Sequence, residues 1–274
     1  MKYTVIIVLY NQKLDDSKTF QSLNKYVQKN KNILNSVNIL IFDNSEMAIN
    51  KVDGNEIFYD YIQAGENKGL AKAYNYALSK AQNCEWLILL DQDSDLTEEY
   101  FQSIFHLENI NNHVVAVVPQ VISNGKIVSP ILGNELPKMQ KKLITQGVYF
   151  NLMAINSASA IRVSFLNEIG GFNEAFRLDY LDHWLYHEIS QMKLGVYVLG
   201  TVINHELSVT KYNEISLNRY KSILNSEIIF QSEYSLIPIK KYKKRLVFRF
   251  FKQLLFIKNK RIAFYTLKKF KEIK

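Results

Sequence analysis

The sequence predicts an α/β protein: a mainly parallel sheet flanked by helices, continued by a basic helical C-terminal extension. Three observations carry this. Short apolar, β-branched runs alternate with amphipathic segments through the first hundred residues or so, as strands joined by helical crossovers do. Three of those runs stop abruptly at carboxylates or amides, where an open α/β sheet places its ligands. Finally, residues 238–274 hold fourteen Lys/Arg and a single acid, Glu272.

Taken in order, Tyr3–Leu9 is a continuous apolar run, as expected of a strand covered on both faces, and ends in Tyr10-Asn11. Residues 14–29 are polar, with Leu14, Phe20, Leu23 and Val27 at roughly helical spacing. Strands are expected at 37–42 and 57–62, a helix at 69–81, and a strand at 86–90. A helix over 97–107 takes Thr97 as its N-cap, and 114–118 is a further strand. Residues 123–147, with Gly125, Pro130, Gly133, Pro137 and Gly147, read as a long loop. Short strands at 148–155 and 159–163, a turn at Gly170-Gly171 and a helix over 181–192 follow. Beyond Gly200 there is no glycine and one proline, Pro238, so the last quarter reads as helical.

Length and composition (274 residues, 47% hydrophobic, 22% charged) suit one large domain or one domain with an appendage. The lone Cys84 excludes an intrachain disulfide, fits a reducing compartment and reads as a packed core thiol. The first apolar run is too short to span a bilayer, has no small-residue cleavage site after it, and no other stretch reaches span length. The expectation is a soluble or peripheral protein. Charge is uneven: residues 238–274 carry +13 against +8 for the whole chain, so the rest carries −5.

The strongest chemical signal is Leu87-Ile-Leu-Leu-Asp91-Gln-Asp93-Ser-Asp95. Carboxylates two positions apart in extended chain point the same way, and that pair suits a divalent ion shared with a diphosphate. The plainer reading is an acidic cap for the next helix, a role open to Asp95. A haloacid-dehalogenase phosphatase also uses Asp-x-Asp, but expects Thr or Val at the place of Asp95 and the motif near its start. The second signal is Gly65-Glu-Asn67-Lys-Gly69-Leu-Ala71-Lys-Ala73-Tyr-Asn75. Small residues entering a helix let backbone approach a ligand and leave N–H groups pointing outward; an ordinary loop-to-helix junction has the same look. Neither Gly-x-Gly-x-x-Gly nor a Walker lysine is present, which argues against dinucleotide and P-loop classes.

Tyr3–Leu9 with Tyr10-Asn11, the segments 39–45, 67–75 and 87–94, and their order together resemble family 2 glycosyltransferases of the GT-A fold. Leu90-Asp-Gln-Asp-Ser94 is similar to the rhamnosyltransferase-like branch. Gly170-Gly-Phe172-Asn-Glu174 resembles the family's Gly-Gly-Phe-Asp-Glu turn, and Asp179-Tyr-Leu-Asp182-His-Trp184 the branch's Asp-Tyr-Val-Asp-x-Glu-Trp element. The resemblance covers roughly residues 3–225 and implies an inverting, Mn²⁺- or Mg²⁺-dependent transfer from dTDP-rhamnose or a UDP-sugar to a glycan. It also implies roles. Asp43 bonds the base and Tyr10 stacks on it; Asn11, Asn67, Gly69 and Lys72 complete the donor site; Asp91 lies by ribose and metal. Asp93 binds the metal with Asp91, and His205 is a third ligand, although a lone histidine is more often structural. Asp182 is the general base, since aspartates are ordinarily ionised at neutral pH; Asp179, His183 and Trp184 face the acceptor. Departures exist: His183-Trp184 replaces x-Glu-Trp, and Leu224 stands where the branch has a second arginine after Arg219-Tyr220. A sugar nucleotidyltransferase of the same fold group would need a Gly-rich N-terminal loop that is absent.

The tail has a reading of its own. Val247, Phe250, Phe251, Leu254 and Leu255 fall on one helical stripe, flanked by Lys244, Arg245, Arg249, Lys252 and Lys258. That arrangement suits an anionic membrane surface, with a helix packed on the main domain as the plainer alternative; no nucleic-acid motif accompanies the charge. The expectation is a GT-A domain over 1–235 (nucleotide-binding half 1–120, acceptor half 121–235) and a tail over 236–274. Such an enzyme would work in the cytoplasm, peripheral on the inner membrane surface, on a lipid-linked glycan acceptor, with an oligomer open; a non-catalytic membrane or nucleic-acid binder is the rival class.

Overall fold

The computed structural model describes residues 2–50, 58–108, 110–132, 144–205, 215–235 and 237–273, with His205 described by its backbone alone. Ile57, the first residue of the strand expected at 57–62, the loop residues Gly133 and Pro137, and the His205 side chain therefore fall outside the described part. The chain forms two compact units, which meet in sequence at Glu206 and Leu207, earlier than the 235/236 boundary drawn from charge.

In the first unit, β1 (Tyr3–Leu9) is buried along its whole length, as its uninterrupted apolar run requires. It pairs in parallel with β2 (Val37–Asp43) on one side, and β3 (Asp60–Gln63) extends the sheet beyond β2. α1 (Lys18–Lys29) joins β1 to β2. It is capped by Ser17, whose hydroxyl accepts from Phe20 N, and it buries Phe20, Leu23, Tyr26 and Val27. α2 (Leu70–Lys80) crosses to β4 (Trp86–Asp91), which lies parallel on the other side of β1.

Then come the short β5 (Ser94–Asp95), α3 (Glu98–Ile104) with Thr97 capping Tyr100 N, and the ten-residue β6 (Val114–Ser123). β7 (Lys126–Ser129) folds back on β6; β8 (Ile131–Leu132) pairs with β10 (Leu152–Met153) as a separate ribbon. The expected 148–155 strand is interrupted: Asn151 adopts φ 55°, leaving β9 (Gly147–Tyr149) and β10 on either side. The long 123–147 segment is thus partly strand.

β11 (Ser159–Arg162) inserts antiparallel between β4 and β6; α4 (Val163–Glu168), α5 (Leu181–Gln191) and β12 (Gly195–His205) complete the unit. The order is β3-β2-β1-β4-β11-β6-β12-β5. Because β6 is antiparallel to β11, it runs with β4, and β12 runs parallel to β6. The carboxyl ends of β1, β2, β4, β6 and β12 therefore share one edge, and β11 alone among the central strands runs against them. Arg162 secures β11: it donates to Glu85 at 2.7 Å and to Val114 O at 2.8 Å, and lies 4.3 Å over the Trp86 ring. Cys84 is half-buried and accepts from the Thr4 hydroxyl at 3.2 Å.

The described residues of the second unit form three helices, α6 (Leu217–Glu233), α7 (Ile239–Phe256) and α8 (Lys260–Glu272). Tyr220 and Leu224 of α6 share a small core with Tyr242, Leu246, Ile257 and Ile262. A buried polar ring sits within it: Gln253 Nε2 donates to Tyr220 Oη at 2.8 Å, and the Thr266 hydroxyl stands 2.6 Å from Tyr220 Oη and 2.7 Å from Gln253 Oε1. Arg249 grips Glu227 with two bonds of 2.6 and 2.7 Å. Burial opposes the Arg249 charge, but the bonds to Glu227 outweigh it and raise its pKa. α6 is therefore packed with the basic helices and belongs to their unit.

Candidate active site

Strand register puts the chemistry at one edge. Leu9 aligns with Asp43 and Val8 with Asp91, so the polar endings of β1, β2 and β4 lie side by side. β12 ends beside them: its antiparallel pairing with β5 sets His205 opposite Ser94, next to Asp93. Residues 92–93 form a turn between β4 and β5. The period-two argument for Asp91 and Asp93 therefore fails, because alternation needs extended backbone; the turn places them instead.

That turn is held from α1. The Ser17 hydroxyl donates to Gln92 O at 2.8 Å; the Thr19 hydroxyl accepts from Ser94 N at 3.0 Å and lies against the carbonyls of Asp91 and Ser94. Gln92 in turn clasps β1's end: its Oε1 accepts from Tyr10 N at 2.7 Å, and its Nε2 donates to Tyr10 O at 3.4 Å. The exposed Tyr10 ring is thus aimed by a main-chain clamp, and Asn11, at φ 50°, donates its amide to Ser45 Oγ.

Asp43 has no surface exposure. Its Oδ1 accepts from Ser45 N at 3.0 Å, and its Oδ2 accepts from Asn50 Nδ2 at 2.9 Å and from the Tyr61 hydroxyl. Burial alone would raise its pKa, yet those donors from Ser45, Tyr61 and Asn50 prevail and hold it below the ordinary aspartate value. A base would meet this carboxylate only by displacing one of these groups.

The helix start at 69–71 corrects the expectation of outward-pointing amides. Arg177 O accepts from Leu70 N at 2.6 Å and from Ala71 N at 3.4 Å, so these donors are already used within the protein. Gly69 is required here twice over: its φ is +84°, and a Cβ would meet Arg177 O at 2.6 Å. Ala71 and Ala73 are buried, small because α2 lies close on β1. Asn67 Oδ1 accepts from Gly69 N and from Asn44 Nδ2, Arg177 donates to Asn67 O, and the exposed Lys72 stands 3.9 Å from Glu174. The Gly-Gly-Phe turn docks on the same helix, since the Asn75 amide exchanges bonds of 2.7 and 2.9 Å with the Phe172 backbone.

α5 brings in Asp182. Its Oδ1 accepts from His183 N at 2.8 Å and lies 2.9 Å from His183 Nδ1, whose ring packs 4.6 Å from Tyr180. Tyr74, wholly buried in α2, points its hydroxyl at Asp91 Oδ1 across 3.4 Å. Burial first, then Asp91 and Asp182, raise the Tyr74 pKa well above the ordinary phenol value. One neutral hydroxyl therefore faces Asp91 and also feels the charge of Asp182. Tyr186 is raised likewise, by burial and by Asp182, with Ser159 opposing. Asp179 and His183 are half-buried, but Trp184 is 5% exposed and faces the core, so it supports α5 rather than presenting a surface to an acceptor.

For a divalent ion the fit is chemical. Asp91 and Asp93, both half-buried, offer hard carboxylate oxygens of the kind Mn²⁺ and Mg²⁺ bind together with phosphate. Among the described residues no three His, Cys, Asp or Glu side chains gather into a metal site, and the side chain of His205 lies outside that set.

An α/β sheet with its polar strand ends gathered around an Asp-Gln-Asp turn defines a GT-A-type fold. Residues 4–170 match the model of glycosyl transferase family 2, and the chain belongs to that family. An uncharacterized protein of Haemophilus influenzae is 24% identical over 185 residues, 61% of this chain and 90% of its own. Among solved structures, S. aureus TarS in complex with UDP-GlcNAc superposes with TM-score 0.55 at 16% identity, covering 94% of this chain and 74% of that one. GalNAc-T7 with UDP, GalNAc and Mn²⁺ gives 0.58 at 13%, over 85% and 49%. The family match establishes the glycosyltransferase class, and the structural likenesses establish the fold. The Asp182 element and His205 lie beyond the matched residues.

Proposed function

We propose that the protein is an inverting, divalent-metal-dependent glycosyltransferase that moves a sugar from a dTDP- or UDP-sugar, dTDP-rhamnose among them, to a lipid-linked glycan in the cytoplasm. The observation that carries this is the Tyr74 hydroxyl, which stands 3.4 Å from Asp91 Oδ1 at the polar end of β4 and whose pKa is also raised by the charge of Asp182. In this reading Asp91 serves the donor and Asp182 the acceptor. Manganese in the GalNAc-T7 structure and UDP-GlcNAc in that of TarS support the metal and donor classes.

In this reading Tyr10 stacks on the base, while Asp43 acts from beneath by fixing Asn50, Tyr61 and the Ser45 amide around it. Asp91 and Asp93, with His205 as a third ligand, would hold the ion, which when bound would offset the charge of the departing diphosphate. Both bonds to Asp182 fall on Oδ1, and Oδ2 takes the acceptor proton as its oxygen attacks the anomeric carbon and the bond to phosphate breaks. Attack opposite the leaving group inverts the centre. His183 donates from Nδ1 and holds the carboxylate's rotamer. The test is a donor panel of UDP-, dTDP- and GDP-sugars with Mn²⁺ and the full chain, read as free nucleoside diphosphate. Release from a dTDP- or UDP-sugar supports the assignment; none from any donor removes it.

A further inference from the structure

The second unit leaves a coherent face uncovered. α7 buries Tyr242, Leu246 and Gln253 and turns Phe248, Phe251 and Leu255 the other way, at i, i+3 and i+7. These three, with Phe256 and with Phe264 of α8, are 57–77% exposed. This differs from the stripe read in the sequence: Val247, Phe250 and Leu254 are half-buried, and the exposed row lies one residue around the helix.

Cations share the same face. Lys241, Lys244 and Lys252 stand seven or four residues from Phe248, and all three are exposed. Around Phe264, Lys260, Arg261 and Lys268 occupy the i−4, i−3 and i+4 positions and are exposed too. The only acid in 238–274, Glu272, is drawn into pairs with Lys268 and Lys269. No described helix is long and apolar enough to cross a membrane.

We propose that this face seats the protein on the interface of an anionic lipid bilayer. The apolar row fits the acyl boundary, and lysines spaced between the rings reach the phosphates on their flexible stems. A second copy of the chain is the lesser occupant, because pairing two such faces would set dense positive charge against positive charge. The proposal stands on this face alone and does not need the transfer reaction, so the two fail separately.

The test is flotation of the full chain with phosphatidylcholine vesicles, with and without phosphatidylglycerol. The wild type should float with the anionic vesicles, less as salt rises. Phe248→Ser/Phe251→Ser/Leu255→Ser should lower partition by about tenfold or more, and Lys241→Glu/Lys244→Glu/Lys252→Glu should abolish the preference for phosphatidylglycerol. Thermal melts check that these variants fold. Phe248→Trp, a conservative change at an exposed site, should shift its fluorescence to the blue with anionic vesicles and be quenched by brominated lipid. Absence of wild-type flotation, an unaltered triple Ser variant, or an unshifted Trp signal overturns the proposal. So does a wild-type dimer in sedimentation that the triple Ser variant dissociates, which would make the face a subunit interface.

Discussion

The hydroxyl of Tyr74 reaches Asp91 Oδ1 across 3.4 Å, and the same phenol feels the charge of Asp182. Removing that hydroxyl should leave the fold intact, because the ring stays buried. Tyr74→Phe is expected to lower the transfer rate roughly fivefold, the effect of about 1 kcal/mol from one modest hydrogen bond. Steady-state kinetics with the donor from the panel checks it; an unchanged rate would separate Tyr74 from the site.

Gly69 gives a prediction about stability. Its φ of +84° and the 2.6 Å approach of a built Cβ to Arg177 O leave no room for alanine. Gly69→Ala should destabilise by about 1–3 kcal/mol and loosen the Arg177 cap on α2. Urea unfolding of the two proteins measures this, and equal midpoints with equal slopes would contradict the close contact.

Asp43 predicts a pH dependence. Its carboxyl is held below its unfolded value, so between the two the unfolded chain binds the extra proton. The stabilisation is complete above about pH 4, near the unfolded value, and is lost as pH falls through the folded one. Asp43→Asn should therefore be less stable than the wild type at pH 6, with the gap closing below pH ~4. Unfolding midpoints along that series decide it; a gap constant with pH would mean that the ionised carboxylate contributes nothing.

The strands and the Asp91-Gln-Asp93 ending were legible because apolar runs and their abrupt stops are local features of sequence. What holds that ending was not. Ser17 and Thr19 read as an ordinary helix start, yet their hydroxyls anchor a turn 75 residues away. Arg177 capping α2, and Asn75 docking the Gly-Gly-Phe turn 97 residues on, are likewise contacts that only the tertiary fold creates. The acceptor role of Trp184 came from the resemblance of its motif, and the sequence does not show that its place on α5 leaves it buried. The tail boundary at 235 followed charge, which does not show that Tyr220 and Leu224 supply a third of a shared six-residue core.

That shared core bears on truncation. Cutting after Ser235 would expose Tyr220 and Leu224 and leave Glu227 buried without Arg249. Within the intact chain, Glu227→Ala should cost about 3 kcal/mol by stranding the half-buried guanidinium. Thermal unfolding followed by far-UV circular dichroism reads the loss in the three-helix unit; a melting profile identical to the wild type would show that the pair carries no weight.

The central claim divides labour between two carboxylates, and one paired measurement tests it most directly. Calorimetry with UDP and dTDP, with and without Mn²⁺, is run on Asp93→Ala and Asp182→Asn beside single-turnover transfer from the donor the panel identifies. Asp93→Ala should keep its fold and lose the metal-dependent part of nucleotide binding. Asp182→Asn should bind nucleotide as the wild type does and lose at least about a hundredfold in transfer. Unchanged metal dependence in Asp93→Ala, or near-normal transfer by Asp182→Asn, would contradict the account, the latter moving the base to Asp179.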